Sequence, residues 1–148
     1  MSNPFDVSRE TTLHVRDHCL CLHAQRAARA LARRFDEAFR PLGLTNGQFS
    51  LMMALNRPEP PTMGSIAALL AMDRTTLTAA LKPLERRSLV EVTPASQDRR
   101  RRMMTLTPSG RQLLAKAAPV WIETHAEVER CLPAGGAEIL RAGLSAVS

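Results

Sequence analysis

The sequence lacks a long hydrophobic run. Its longest uninterrupted apolar stretch, Ile66 to Met72, covers seven of 148 residues, far short of the roughly 18 that would cross a bilayer. The first twenty residues are broken by Asp6, Arg9, Glu10, Arg16 and Asp17 and carry no signal-peptide core. A cytoplasmic protein with no membrane partner is therefore expected. Cysteine is scarce, and three thiols, an odd number, exclude a disulfide scaffold as the main source of stability. There is no Gly-rich phosphate loop, no nucleophile elbow, and no carboxylate pair or Ser/His/Asp set at recognisable spacing, so neither an enzyme nor a cofactor is expected. Repeats, low-complexity tracts and inter-domain linkers are also missing. Residues 1–148 read as one domain, long enough to bury about two thirds of its unfolded surface without a staple.

What the chain does have is positive charge: 20 Lys+Arg against 14 Asp+Glu, a formal +6. Eighteen of the 20 are arginine, a bias that fits a codon-rich genome as well as a taste for phosphate. Their placement is more informative. Between Arg74 and Arg102 eight basic residues face three acidic ones, while residues 103–148 balance four against four. A charge run alone is usually a solvated face, and it points to a polyanion only if the segment also fits one.

Apolar residues recur at helical spacing from Thr11 to Arg40, predicting one long helix that Pro41 and Gly43 end. Thr45 and Asn46 cap a short helix to Leu55. Three prolines between Pro58 and Pro61 force a loop. Thr62 caps a helix from Met63 to about Ala71, and Asp73 caps another from Arg74 to about Arg87 with Leu77, Leu81 and Leu84 on one stripe. Two short helices around the tight turn Ala71-Met72-Asp73 form a helix-turn-helix. The segments 89–93 and 103–107 alternate like strands and flank Pro94 to Arg102, a hairpin with an arginine-rich tip. Thr107 and Pro108 open a helix to about Arg130, bent at Pro119, and Pro133 begins a last one ending near Ala146.

This order of elements, with Gly43-Leu44-Thr45 and Gln48-Phe49, Arg74-Thr75-Thr76-Leu77-Thr78, Leu84-Glu85-Arg86-Arg87-Ser88-Leu89-Val90, Asp98-Arg99-Arg100 and Leu106-Thr107-Pro108-Ser109-Gly110, resembles the MarR family of winged helix-turn-helix transcriptional regulators. The likeness is close over about Leu20 to Gly110 and loose at the ends. It implies a mainly α (α+β) fold, with a winged helix-turn-helix at 45–107 and dimerisation helices at 11–40 and 108–148. It also implies a homodimer on a palindromic double-stranded DNA operator, usually a repressor, released by a small aromatic ligand or an oxidant. A winged-helix module that binds protein instead of DNA is the alternative.

A helix fits the major groove, where polar side chains read base edges while phosphate contacts fix position. In the helix after Asp73, Arg74 is suited to a guanine edge, Thr75, Thr76 and Thr78 to phosphates or thymine methyls, and Lys82 to a phosphate. Arginine is also the side chain that narrow A/T minor grooves attract, which suits Arg99, Arg100, Arg101 and Arg102. The resemblance makes Asp98 and Arg100 a pair in which the acid orients the arginine. Strand alternation would put Arg100 and Arg102 on one face and Arg99 and Arg101 on the other, so that two contact DNA directly.

Two residues depart from the family pattern. Ser88 stands where glycine is usual and a left-handed backbone is common, which predicts a different turn. Pro83 lacks a donor for the Ala79 carbonyl, which predicts a kink or break. The first helix and the last two are amphipathic with no sheet to cover, and the resemblance joins such termini into an intermolecular bundle. Leu13, Leu20, Trp121, Ile122, Val128, Leu132, Ile139, Leu140 and Leu144 are the candidates for it, with packing inside one chain as the alternative.

By resemblance Cys21 takes the place of a reactive cysteine in peroxide-sensing relatives, where tyrosines bond the thiolate. This chain contains no tyrosine, and an inert thiol is the alternative. Cys19 cannot pair with Cys21 inside one helix, where two residues differ by about 200°. Cys131 would be a resolving partner only from a second subunit. His14 and His18 share a helical face but lack a third ligand, so no metal is expected. The methionines, Met52, Met53, Met63, Met72, Met103 and Met104 among them, suit either an adaptable pocket or ordinary core.

Overall fold

The computed structural model describes residues 6–148, which fall into two compact units, one up to Arg34 and one from Phe35 onward. In the first, helix α1 (Arg9–His18) starts at Ser8, whose hydroxyl oxygen accepts the Thr11 N–H at 3.1 Å. Helix α2 (Leu20–Phe39) begins here and continues into the second unit. The single helix expected over 11–40 is thus interrupted at Cys19, whose ψ of 110° is extended. The Cys19 Sγ accepts the Leu22 N–H at 3.4 Å, as a serine cap would. On either side, His18 and His23 place Nδ1 at 2.9 and 2.8 Å from the carbonyls of His14 and Cys19. Side chains here compete with the helical ladder without any proline or glycine to announce it. With an extended residue at Cys19, the 200° argument against a Cys19–Cys21 pair no longer applies. No side chain of α1 is buried.

The second unit starts from the end of α2. Phe39 is fully buried and stacks on Phe49 at 4.7 Å. A single 3-10 turn (Arg40–Leu42) ends at Gly43 with φ 66°, a left-handed residue that glycine adopts freely. Helix α3 (Asn46–Leu55) opens with a capping box in which Thr45 and Gln48 each bond the other's backbone. Helices α4 (Met63–Leu69) and α5 (Arg74–Arg86) follow, then strand β1 (Val90–Pro94) pairs antiparallel with β2 (Arg102–Leu106), Val90 opposite Leu106 and Val92 opposite Met104. Thr62 adds an isolated bridge to Met103. Helices α6 (Pro108–Arg130) and α7 (Gly136–Ala146) complete the chain. The core joins Phe39, Leu51, Met52, Ile66, Leu77, Leu81, Leu84 and Met104, each nearly inaccessible to solvent. Burying a side chain of this size contributes roughly 1.5–3 kcal/mol, so the α5 leucine stripe anchors that helix firmly.

Helix α5 runs through Pro83 without breaking. The missing donor falls on the carbonyl of exposed Ala79, where water can replace it, and buried Leu81 and Leu84 hold the turn on both sides. Helix α6 likewise continues through Pro119. Ser88 does not change the turn: its φ is +55°, with Ser88 N–H on the Glu85 carbonyl and Leu89 N–H on the Leu84 carbonyl, both at 2.9 Å. The left-handed helix terminus forms even though the residue carries a Cβ. Ala71 does the same in the helix-turn-helix, with φ +51°.

Thr107-Pro108-Ser109-Gly110 is a clasp. The Thr107 hydroxyl donates to the Ser88 carbonyl at 2.6 Å and accepts the Gly110 N–H at 3.0 Å, while the Thr107 N–H donates to the Leu89 carbonyl at 3.1 Å. A Cβ on Gly110 would lie 2.1 Å from the Leu89 oxygen, so only glycine lets α6 start against the end of α5.

Candidate nucleic-acid interface

Two anchors position the exposed surface of α5. At its start the Asp73 carboxylate accepts the Thr76 N–H at 2.7 Å and the Thr76 hydroxyl at 2.8 Å. These bonds, the backbone one foremost, hold the Asp73 carboxyl below its ordinary pKa. At its end the Arg87 guanidinium donates to the Gly43 carbonyl at 2.7 Å, tying α5 to the turn before α3. Sequence patterning gave no sign of this bond, which links residues 44 apart.

Helical spacing sets Thr75, Ala79, Lys82 and Arg86 on the ridge opposite the buried leucines, with Thr76 beside them, and all are exposed. Arg74 and Thr78 lie on the flank facing the wing. There they line a cleft of about 350 Å³ with Thr62, Gly64, Arg100 and Arg102. Arg101 lines it too. The Arg74 guanidinium passes 3.5 Å from where a Gly64 side chain would begin, an ordinary van der Waals approach that places it beside α4. The contribution of α4 to this cleft had no counterpart in the sequence reading.

The wing tip differs from the alternating pattern expected of it. Strand β2 begins only at Arg102, and Arg99, Arg100 and Arg101 lie in the turn, where a two-residue period has no meaning. Three successive arginines therefore reach one cleft rather than dividing between faces. Asp98 organises this turn through the backbone: its carboxylate accepts the Arg100 N–H at 3.0 Å, its carbonyl accepts the Arg101 N–H at 3.0 Å, and the Ala95 N–H donates to the Arg101 carbonyl at 2.8 Å. Among the described residues none of Arg74, Lys82, Arg99, Arg100, Arg101 and Arg102 forms an ion pair. The result is a cationic notch between a helix and a wing whose guanidinium groups are tied up in no ion pair among the described residues.

A second concavity, of about 550 Å³, is apolar and lies among α3, α4 and α6, walled by Phe49, Met53, Leu69, Leu70, Trp121 and Ile122. Trp121 stacks on His125 at 4.5 Å. Met52 and Met104 are buried core, whereas Met53 lines this groove. Leu20, Ile122 and Ile139 are more than 60% exposed, and Leu140 and Leu144 nearly half exposed, while Leu13, Val128 and Leu132 are half-buried. Cys21 is exposed, with its sulfur accepting from Gln25 Nε2 at 3.2 Å, and Cys131 is exposed as well. The His14 and His18 rings stack at 4.4 Å, and no group of three or more metal-ligating side chains occurs among the described residues. No helix among these residues is long and apolar enough to cross a membrane.

The family model described as MarR family matches residues 44–101, the segment that holds α3, the helix-turn-helix and the wing tip. The transcriptional regulator MosR of M. tuberculosis, solved in complex with DNA, is 38% identical with a TM-score of 0.75, the match covering 87% of this chain and 96% of that one. The transcriptional repressor CouR bound to a 23-mer DNA duplex is 27% identical with a TM-score of 0.80, covering 90% and 94%. The transcriptional activatory protein BadR of Rhodopseudomonas palustris is 38% identical over 74 residues, 48% of this chain and 42% of that protein, so the match spans under half of that relative.

Proposed function

We infer, from the premise that this chain belongs to the MarR family, that it is a transcriptional regulator which binds double-stranded DNA as a homodimer through α5 and the wing. The unpaired cationic notch carries the reading: a protein-interaction module has no need of four consecutive arginines at an exposed tip. Helix α5 enters the major groove, and Arg100 with a neighbouring wing arginine enters the minor groove. Arg74, Lys82 and the remaining wing arginines hold phosphates on either side. Residues 45–107 form the DNA-binding region. Residues 11–40 and 108–148 supply the exposed leucines and isoleucines of an isologous dimer, whose two-fold axis matches a palindromic site. One relative is named a repressor and another an activator. The place of the operator relative to the promoter sets the sign here, with repression the outcome where the two overlap.

The apolar groove beside Trp121 takes the aromatic effector. Trp121 is the sole tryptophan of the chain, so titration with salicylate is read directly as quenching of its fluorescence. An unchanged spectrum at millimolar salicylate removes the groove from consideration. For DNA, the test is nuclease protection of the region flanking the protein's own gene, followed by binding at increasing salt. A dimer making about six to ten phosphate contacts loses about three to five decades of affinity between 50 and 200 mM salt. Arg100→Ala weakens binding while dimer mass and thermal unfolding stay unchanged. A flat salt response, or an Arg100→Ala protein that binds like wild type, rejects the wing assignment and favours the protein-interaction reading.

A further inference from the structure

We propose that the recognition helix reads its operator chiefly through methyl groups, so that the major-groove half-site is specified by the C5-methyls of thymines. This deepens the DNA-binding reading above and rests on it. The sequence leaves the three threonines of α5 open to phosphates or thymine methyls, and two of them have their hydroxyl protons committed inside the chain. Thr76 Oγ1 donates to the Asp73 carboxylate at 2.8 Å, and Thr78 Oγ1 donates to the Arg74 carbonyl at 2.8 Å. Neither can donate to guanine O6 or N7, which are acceptors only.

What these two side chains still offer a base is a methyl group and an oxygen that can only accept. Thr76 is exposed while its hydroxyl is turned back onto its cap, so its methyl is the group of this side chain available to pack against a base edge. Ala79, one turn after Thr75 on the same ridge, offers only a methyl, and both are exposed. Thr75 is the one threonine of the three without an internal hydroxyl partner among the described residues. The two residues of α5 best equipped for guanine lie elsewhere. Arg74 is turned into the wing cleft beside Gly64, and Lys82 is two turns down the helix. The exposed face at the start of α5 therefore carries Thr75 and Ala79 on the ridge with Thr76 beside them, residues whose apolar contribution is methyl groups, flanked by cations. Thymine is the base whose major-groove edge carries a methyl to meet it.

The probe is a duplex recovered by selection from a random-sequence pool, in which thymines of each half-site are replaced in turn by deoxyuridine, which lacks only the C5-methyl. Each replacement at a contacted thymine lowers affinity about fourfold, the value of one buried methyl group, and a symmetric pair about sixteenfold. Replacements in the spacer facing the wing leave affinity unchanged. The double variant Thr75→Ser, Thr76→Ser keeps both hydroxyls, including the bond to Asp73, and loses most of the uracil penalty. Binding of wild type to the fully uracil-substituted half-sites at undiminished affinity overturns the proposal, as does a serine variant that retains the whole penalty. A selection that recovers no duplex overturns this proposal together with the DNA-binding reading. Salt-sensitive binding without a uracil penalty overturns this proposal alone.

Discussion

Helices α5 and α7 are of similar length, 13 and 11 residues, and both carry an apolar stripe, yet they are held in opposite ways. Leu77, Leu81 and Leu84 of α5 are almost wholly buried, so its other face is fixed in place and free to be used. Helix α7 has no buried residue, and Ile139 is 74% exposed. A stripe covered within the chain stabilises a surface for another molecule, whereas an uncovered stripe requires a second chain before it contributes anything. Periodicity is the same in both, and only packing separates them.

The harshest way to break this contrast is to loosen the packing that fixes α5. In Gly110→Ala the new Cβ meets the Leu89 carbonyl oxygen at 2.1 Å, a backbone atom that cannot step aside. Destabilisation of about 3 kcal/mol is expected from such overpacking. For a chain of this size that is a fall of about 6–12 °C in Tm, read by thermal unfolding. An unaltered Tm would mean that the clasp does not bind α6 to the end of α5.

Leu140→Ala examines the other side of the comparison. Removing a half-exposed leucine from both copies of an isologous interface costs about 2 kcal/mol per dimer, raising the dissociation constant about thirtyfold. Sedimentation equilibrium measures it. Unfolding of the variant should become more dependent on protein concentration, unlike that of Gly110→Ala. If dissociation is unchanged, α7 is not part of the interface.

Ser88→Gly sharpens the contrast from the stabilising direction. Because Ser88 adopts φ +55°, replacing it with glycine relieves a left-handed backbone worth about 1 kcal/mol at the terminus of α5. Urea unfolding should show a higher midpoint with an unchanged slope. A lower midpoint would mean that the serine side chain contributes more than its backbone costs.

The same contrast explains which features were legible beforehand. The leucine stripe of α5, the cap at Thr45 and the strand alternation come from local rules, and the elements they specify fall within a residue or two of expectation. The break at Cys19 did not, because a thiol cap looks like any other residue at helical spacing. Arg87 on Gly43 and Gly110 on Leu89 are encounters between distant segments, which composition does not encode. At the site, the arginine-rich tip was visible as charge. That three of its residues share one cleft with Arg74 depends on a turn, which strand alternation misread. The threonine hydroxyls looked available because their internal partners appear only once the helix is built.

The smallest effect concerns how the two helices begin. Helix α5 is capped by the Asp73 carboxylate, whereas α7 starts at Gly135, which has no side chain to cap with. The Asp73 pKa lies below its ordinary 3.8 because the Thr76 N–H and hydroxyl bond the ionised form. Asp36 is lowered from 3.8 in the same way by the backbone and side-chain N–H groups of Asn46. A depressed folded-state pKa favours the native state above the unfolded value, and this advantage disappears as pH falls through the folded value. Stability should therefore be level above about pH 5 and decline below pH 4 as both carboxylates take up protons. Asp73→Asn retains a cap acceptor that does not titrate, so it should flatten part of this decline, and Asp36→Asn another part, in urea unfolding between pH 2 and 6. Since α7 has no titrating cap, Gly135→Ala should leave the slope of the acid limb as it is. An acid limb that is equally steep in Asp73→Asn would mean that the cap bonds do not discriminate between the charged and neutral carboxyl.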